Sequence, residues 1–214
     1  GFFSPLYSES LTPDLIQVRQ WLKSRALTGL SEAGLLMLSA KITETEIRTQ
    51  IKKLKTGKAS GPDQLPPELY KSLQEVIVHF LQILFNSVYD RQDQVPPSWK
   101  EATISLILKP AKDPRYPESY RPISLLNVDY KIFTGILAKR LASLAPGLIN
   151  PDQKGFIPGR QKQHLIHLMI GSIDLATVFA KPLAIITLDE AKAFDRVNWV
   201  YLWETLAAFN IPSK

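Results

Sequence analysis

The apolar run Leu183-Ala184-Ile185-Ile186-Thr187-Leu188 ends on Asp189, the residue of this 214-residue chain best placed to do chemistry. A short, continuous apolar run reads as a buried strand. A carboxylate at the end of such a strand has the rigid support that a site of tight geometry requires. Hard cations such as Mg²⁺ take oxygen ligands, commonly one or two carboxylates together with substrate phosphates. Two such ions about 3.5 to 4 Å apart can clamp the attacking and leaving oxygens of a phosphoryl displacement. Asp189 suits that role, although by itself it is more simply read as the N-cap of a following helical turn, a position that Asp favours. Two other patterns carry less. Gly57-Lys58 resembles the end of a phosphate-binding loop, but that motif needs Gly five positions before Gly57, where Lys52 stands. His164 and His167 have a spacing that can hold metal, yet no Glu or Cys completes a set, so both are read as ordinary helix residues.

The elements that must position these residues follow from periodicity. Leu15, Val18 and Leu22, with Trp21 alongside, predict a helix within 11–25, with Thr12 and Pro13 at its start. Thr43 and Glu46 form a capping-box pattern ahead of Ile47, Ile51 and Leu54. A turn-rich insert at 57–63 precedes a long helix over 74–91, with Val76, Phe80, Leu84 and Val88 on one face, thickened by Ile77, Leu81 and Phe85. Residues 102–108 and 121–126 predict two strands of a hairpin with a basic tip. A helix over 128–144 is expected to stop at Pro146-Gly147, and further helices are expected over 161–179 and 199–209. A boundary is most plausible near 40–43, which divides the chain into an upstream helical or linker segment, 1–41, and a dense region, 42–214.

Bulk properties leave room for this reading. Hydrophobic residues make up 45% of the chain, enough for one sizeable core or parts of two. The net charge of +6 and pI near 9.4 are mildly basic, compatible with a polyanion partner without requiring one. With no cysteine, disulfides, zinc ribbons and thiol catalysis are excluded. No segment reads as membrane-spanning; the chain begins with Gly1 and not Met, without a signal pattern, and so looks cut at its front end.

Asp189-x-x-Lys192-Ala193-Phe194-Asp195 after an apolar strand resembles motif A of reverse transcriptases, in particular those of LINE-type (non-LTR) retrotransposons. Glu190 and Ala191 stand in the reverse of the family's usual order. Three further blocks resemble the same family. Gly57 to Asp63, followed by Leu65 to Tyr70, matches a Gly-Pro-Asp-Gly finger motif, with Gln64 in place of the last Gly. If that position needs positive φ, Gln64 is strained there. Trp99 through Lys109-Pro110, then Ser119-Tyr120-Arg121-Pro122 to Asn127, matches the fingers hairpin, with Leu108 in place of the usual Pro. Pro151 to Gln161 matches a Gln-x-Gly-Phe-x-x-Gly-Arg motif.

The resemblance implies an α+β fold, an incomplete fingers and palm, with fingers over about 42–180 and the start of the palm over about 181–214. It implies that Asp189 binds both catalytic ions, Mg²⁺ in the complete site. Phe194 would lie under the sugar of the incoming nucleotide and exclude a 2′-OH. Asp195 is more plainly a structural carboxylate. Lys109 and Arg121 would contact the incoming triphosphate, as a point charge and a bidentate fork respectively, where an exposed basic hairpin is the plainer alternative. Gly155, Phe156, Gly159 and Arg160 would lie near template and nucleotide, with a surface loop before a helix as the plainer alternative. The implied partners of the complete protein are an RNA template, a DNA primer or target and dNTP, with an endonuclease domain upstream and no membrane. The implied location is intracellular, nucleus and cytoplasm.

The family also needs an aromatic-x-Asp-Asp hairpin, and no two Asp residues are adjacent here. This chain alone is therefore expected to be inactive. Two readings remain, a fragment of an RNA-directed DNA polymerase and a non-catalytic nucleic-acid-binding or structural remnant of a retroelement. A palm strand with an unpaired edge is also expected to lower solubility.

Overall fold

The computed structural model describes residues 14–25, 27–91, 95–190 and 193–212. In chain order the helices are α1 (Leu15–Ser24), α2 (Glu32–Ser39), α3 (Glu44–Lys53), α4 (Pro67–Ser72) and α5 (Gln74–Asp90). Strands β1 (Thr103–Leu108) and β2 (Tyr120–Leu125) follow, then α6 (Val128–Leu148), α7 (Lys162–Val178) and α8 (Trp199–Ala208). The described residues form two compact units. One comprises 36–140, and the other comprises 14–35 together with 141–212. The helix-rich α+β class with an antiparallel hairpin agrees with expectation.

The first unit is built on α3, α5 and the first half of α6. Thr43 and Glu46 make the reciprocal capping box, with the Thr43 hydroxyl accepting from Glu46 N and the Glu46 carboxylate accepting from Thr43 N. Ile47 and Ile51 then point inward and are fully buried. They join Ile42, Val78, Leu81, Phe85, Trp99, Ile132, Phe133 and Ile136 in one core. An aromatic cluster lies at its centre, with Phe133 5.4 Å from Phe85 and 5.1 Å from Trp99 between ring centroids, in tilted contacts. The Trp99 indole donates to Asp129 at 2.8 Å, so its polar edge is satisfied inside the core.

Helix α5 forms where expected, and the face it buries is shifted, keeping Leu81, Phe85 and Val88 of the expected set and adding Val78. Val78, Leu81, Phe85 and Val88 are inside, whereas Val76 and Phe80 (63% exposed) face out. Apolar residues cover most of this helix's circumference, so its own pattern does not single out a face. The aromatic partners Trp99 and Phe133 do. Helix α6 also departs from expectation, continuing through Pro146 to Leu148. Arg160 donates to Pro146 O in the last turn of this helix and to Ile149 O and Asn150 O just beyond it, at 2.6–2.9 Å. That cap from a distant side chain supports a last turn that proline alone does not end. The helices α2 and α4 were not foreseen in the sequence. The expected cap at Thr12 and Pro13 lies outside the described residues, and Asp14 caps α1 through Ile16 N at 2.9 Å.

The expected palm strand over 183–188 is the main correction. These residues have no ladder partner, and the sheet among the described residues is the β1–β2 pair alone. Ile186 is 79% and Leu188 89% exposed. A strand exists by pairing, and local apolar character cannot supply a neighbour. Helix α7 is likewise apolar on most sides and buries no residue. No helix among the described residues is long and apolar enough to cross a membrane.

Candidate functional site

The hairpin carries the first part of the site. Strands β1 and β2 pair antiparallel, Ile107 opposite Arg121 and Leu108 opposite Tyr120. The ladder continues one step, Lys109 N donating to Ser119 O at 2.8 Å. Side chains alternate across a strand, so Ile107, Lys109 and Arg121 share one face, and Lys109 and Arg121 are diagonal neighbours on it. The Lys109 ammonium donates to Glu118 O at 2.7 Å, which holds it at the mouth of the turn. Arg115, at the tip, folds back onto Asp113 at 2.6 Å, and its guanidinium holds that carboxyl below the ordinary range. Arg121 is exposed, and its guanidinium has no partner among the described residues. The face therefore presents one fork donor and one tethered point charge, a pair suited to phosphate oxygens.

The Gly57–Tyr70 block is docked at the base of this hairpin. Gln64 has φ +60, the left-handed conformation that glycine adopts freely and Gln does not, as its place in the motif led one to expect. Gly61 packs against the backbone of Leu126 and Asn127 so closely that a Cβ there would overlap it. Asn127 is buried, accepting from Asp63 N at 3.3 Å and donating to Ser98 O at 3.2 Å. Asn127 thus joins the finger loop, the Pro97–Lys100 turn and the end of β2. No sequence signal gave Asn127 this role, because its two hydrogen-bond partners, Asp63 and Ser98, lie 64 and 29 positions away in the chain. Gly61→Ala is expected to destabilise the first unit by about 1–3 kcal/mol through overpacking, a cost read as a lower midpoint in thermal or urea unfolding.

The 151–161 block forms a loop ahead of α7. Gly159 has φ +78, and Phe156, with φ +62, is 94% exposed. A Cβ at Gly155 would meet only Gln153 Nε2 at an ordinary 3.7 Å. Arg160 also donates to Gln153 O at 2.9 Å, so its two terminal nitrogens serve four carbonyls in all, and Nε is left for other contacts. In this conformation its guanidinium organises the loop.

Asp189 lies in the irregular segment after α7 and is exposed, as is Phe194 at 87%. Lys192 and Ala191 lie outside the described residues. Among the described residues no three His, Asp or Glu side chains gather into a metal-holding group. Asp189 can offer one carboxylate to a hard cation, a donor set that fits Mg²⁺ only with further oxygens from substrate or other residues. Lys109 and Arg121 belong to the first unit. Asp189, Phe194 and the 151–161 loop belong to the second.

A family model described as reverse transcriptase (RNA-dependent DNA polymerase) matches residues 107–214. The transposon TX1 uncharacterized 149 kDa protein of Xenopus laevis is 30% identical over 211 residues, 98% of this chain and 16% of that protein. The probable RNA-directed DNA polymerase from transposon X-element of Drosophila melanogaster is 33% identical, over 71% of this chain and 17% of that protein. The RNA-directed DNA polymerase from mobile element jockey of the same fly is 34% identical, over 76% and 18%. The chain thus spans less than a fifth of the length of these relatives.

Proposed function

The chain belongs to the reverse transcriptase (RNA-dependent DNA polymerase) family, of the kind carried by LINE-type (non-LTR) retrotransposons, and from that premise we propose that it is the fingers and early palm of a polymerase that copies retroelement RNA into DNA. The observation that carries the reading is the hairpin register, which makes Lys109 and Arg121 diagonal neighbours on one face in a chain that also carries the Asp189-to-Asp195 motif. In this reading Lys109 and Arg121 bind the triphosphate of a dNTP. Phe194 lies under its sugar, and Gly155, Phe156, Gly159 and Arg160 line the path of template and nucleotide. Asp189 would hold Mg²⁺, which when bound neutralises charge on the reacting phosphate in a two-metal nucleotidyl transfer. Residues 1–41 lead in from upstream, 42–180 make the fingers and 181–214 begin the palm. The complete protein would take an RNA template and a DNA primer, carry an endonuclease domain upstream, and act in nucleus and cytoplasm.

The test is Mg²⁺-dependent primer extension on an RNA template. A polypeptide of the relatives' length that includes this chain is expected to extend the primer. The 214-residue chain alone is expected to give no product, because the family's adjacent Asp pair is absent from its sequence. Extension by the short chain would overturn the second expectation. RNA binding by the long polypeptide without extension would favour a non-catalytic remnant.

A further inference from the structure

The segment that leads into the polymerase region packs with the palm end of the chain. Residues 14–35 group with 141–212, and not with the residues that follow them directly in sequence. The partner of α1 is α8. Arg19 forks onto Glu204, Nε to Oε2 and Nη2 to Oε1, both at 2.7 Å, between residues 185 positions apart. Trp21 meets Tyr201 with centroids 6.0 Å apart, and Arg25 stacks over the same indole at 4.5 Å. Leu22 is buried. Beyond α1, Leu30 N donates to Phe209 O at 2.8 Å, so the segment also holds the far end of α8. Gly29 lies against the side chain of Asn210, which has φ +57, and a Cβ at Gly29 would sit 2.6 Å from its amide nitrogen.

Helix α8 needs this support, since none of its residues is buried. It starts at Trp199, capped by Asn198, which accepts from Tyr201 N at 3.1 Å. The segment carrying Asp189 runs between the end of α7 and this cap, so α8 is one of its two anchors. An exposed ion pair is ordinarily worth little, but a bidentate Arg–carboxylate fork with one well-covered partner is the exception. Glu204 is that partner, 19% exposed against 61% for Arg19.

We propose that residues 15–25 and 27–30 are a positioning strap: they hold α8 in place and through it fix residues 193–198, which carry Phe194 of the motif that Asp189 opens. Arg19 and Glu204 are positioning residues in this scheme, and the consequence for nucleotide addition rests on the polymerase reading above.

Amide hydrogen exchange on the 214-residue chain tests the strap directly. R19E and E204R are each expected to speed exchange across α8 and residues 193–198 roughly tenfold, and the double swap R19E/E204R to restore it. Amides of α7 should keep their rates. Unchanged rates in α8, equal acceleration in α7, or no recovery in the double swap would overturn the proposal. In a polypeptide of the relatives' length that includes this chain, R19E is expected to lower kcat about tenfold with KM for dNTP unchanged, and the double swap to restore kcat. If the unsubstituted polypeptide extends no primer, the polymerase reading fails while the exchange result still decides the strap.

Discussion

Arg140→Met lowers the unfolding free energy of the first unit by about 3–5 kcal/mol, the size expected when one partner of a buried ion pair is removed. Arg140 is only 7% exposed. Its Nε and Nη2 fork onto the two Glu46 carboxylate oxygens at 2.7 and 2.9 Å. Its remaining donors reach Ala40 O at 2.6 Å, Lys41 O at 3.0 Å and Leu38 O at 3.4 Å. One side chain therefore secures the α3 capping box and the carbonyls that end α2. Asn86 completes the clamp, accepting from Ile42 N at 2.8 Å and donating to Ile42 O at 2.9 Å. Arg140→Lys should recover only part of the loss, since an ammonium cannot reproduce the fork. Urea unfolding of the three chains at pH 7 checks this, and a shift under about 1 kcal/mol in Arg140→Met would refute it.

The same contact gives the first unit an acid-sensitive component. Burial pushes the Glu46 carboxyl up, but the hydrogen bonds from Arg140 and Thr43 outweigh it and leave it below its ordinary value. A carboxyl lower in the folded chain than in the unfolded one contributes stability above the unfolded pKa. That contribution fades as pH falls through the lowered folded value. The loss should therefore begin near the ordinary Glu pKa of about 4 and deepen below it, and Arg140→Met should shrink this dependence.

On the polymerase reading, Asp189→Asn is expected to reduce kcat for templated nucleotide addition by at least about a thousandfold in a polypeptide of the relatives' length that includes this chain, because an amide is a poor substitute for a carboxylate on a hard cation. Lys109→Ala and Arg121→Ala should act mainly on KM for dNTP, the signature of ground-state contacts to a triphosphate. Steady-state primer extension across dNTP and Mg²⁺ concentrations separates the two classes. An Asp189→Asn polypeptide within tenfold of the parent would remove Asp189 from the chemistry. The reverse pattern, with Arg121→Ala affecting kcat alone, would place that guanidinium on the transition state and not on the bound nucleotide.

Local chemistry accounts for much of what could be read from the sequence. The capping box at Thr43, the hairpin over 103–125, the left-handed turn at Gln64 and the long helices each depend on residues a few positions apart. Their signals are complete within a short window. The four motif blocks name the family for the same reason, since each is contiguous. Other features depend on partners distant in the chain. The face that α5 buries is chosen by Trp99 and Phe133. The end of α6 is set by Arg160, and the 40–43 stretch is held by Arg140 and Asn86. The 183–188 run shows the limit most clearly: its composition is that of a strand, yet pairing is a property of two segments, and no described neighbour pairs with it. The sequence by itself therefore determined the family, the hairpin, the capping box, the long helices and Asp189 as the residue to test. Only the tertiary structure decided which distant side chains hold those elements, including the strap over 15–25 and 27–30, because burial and ion pairing are settled by what meets in space.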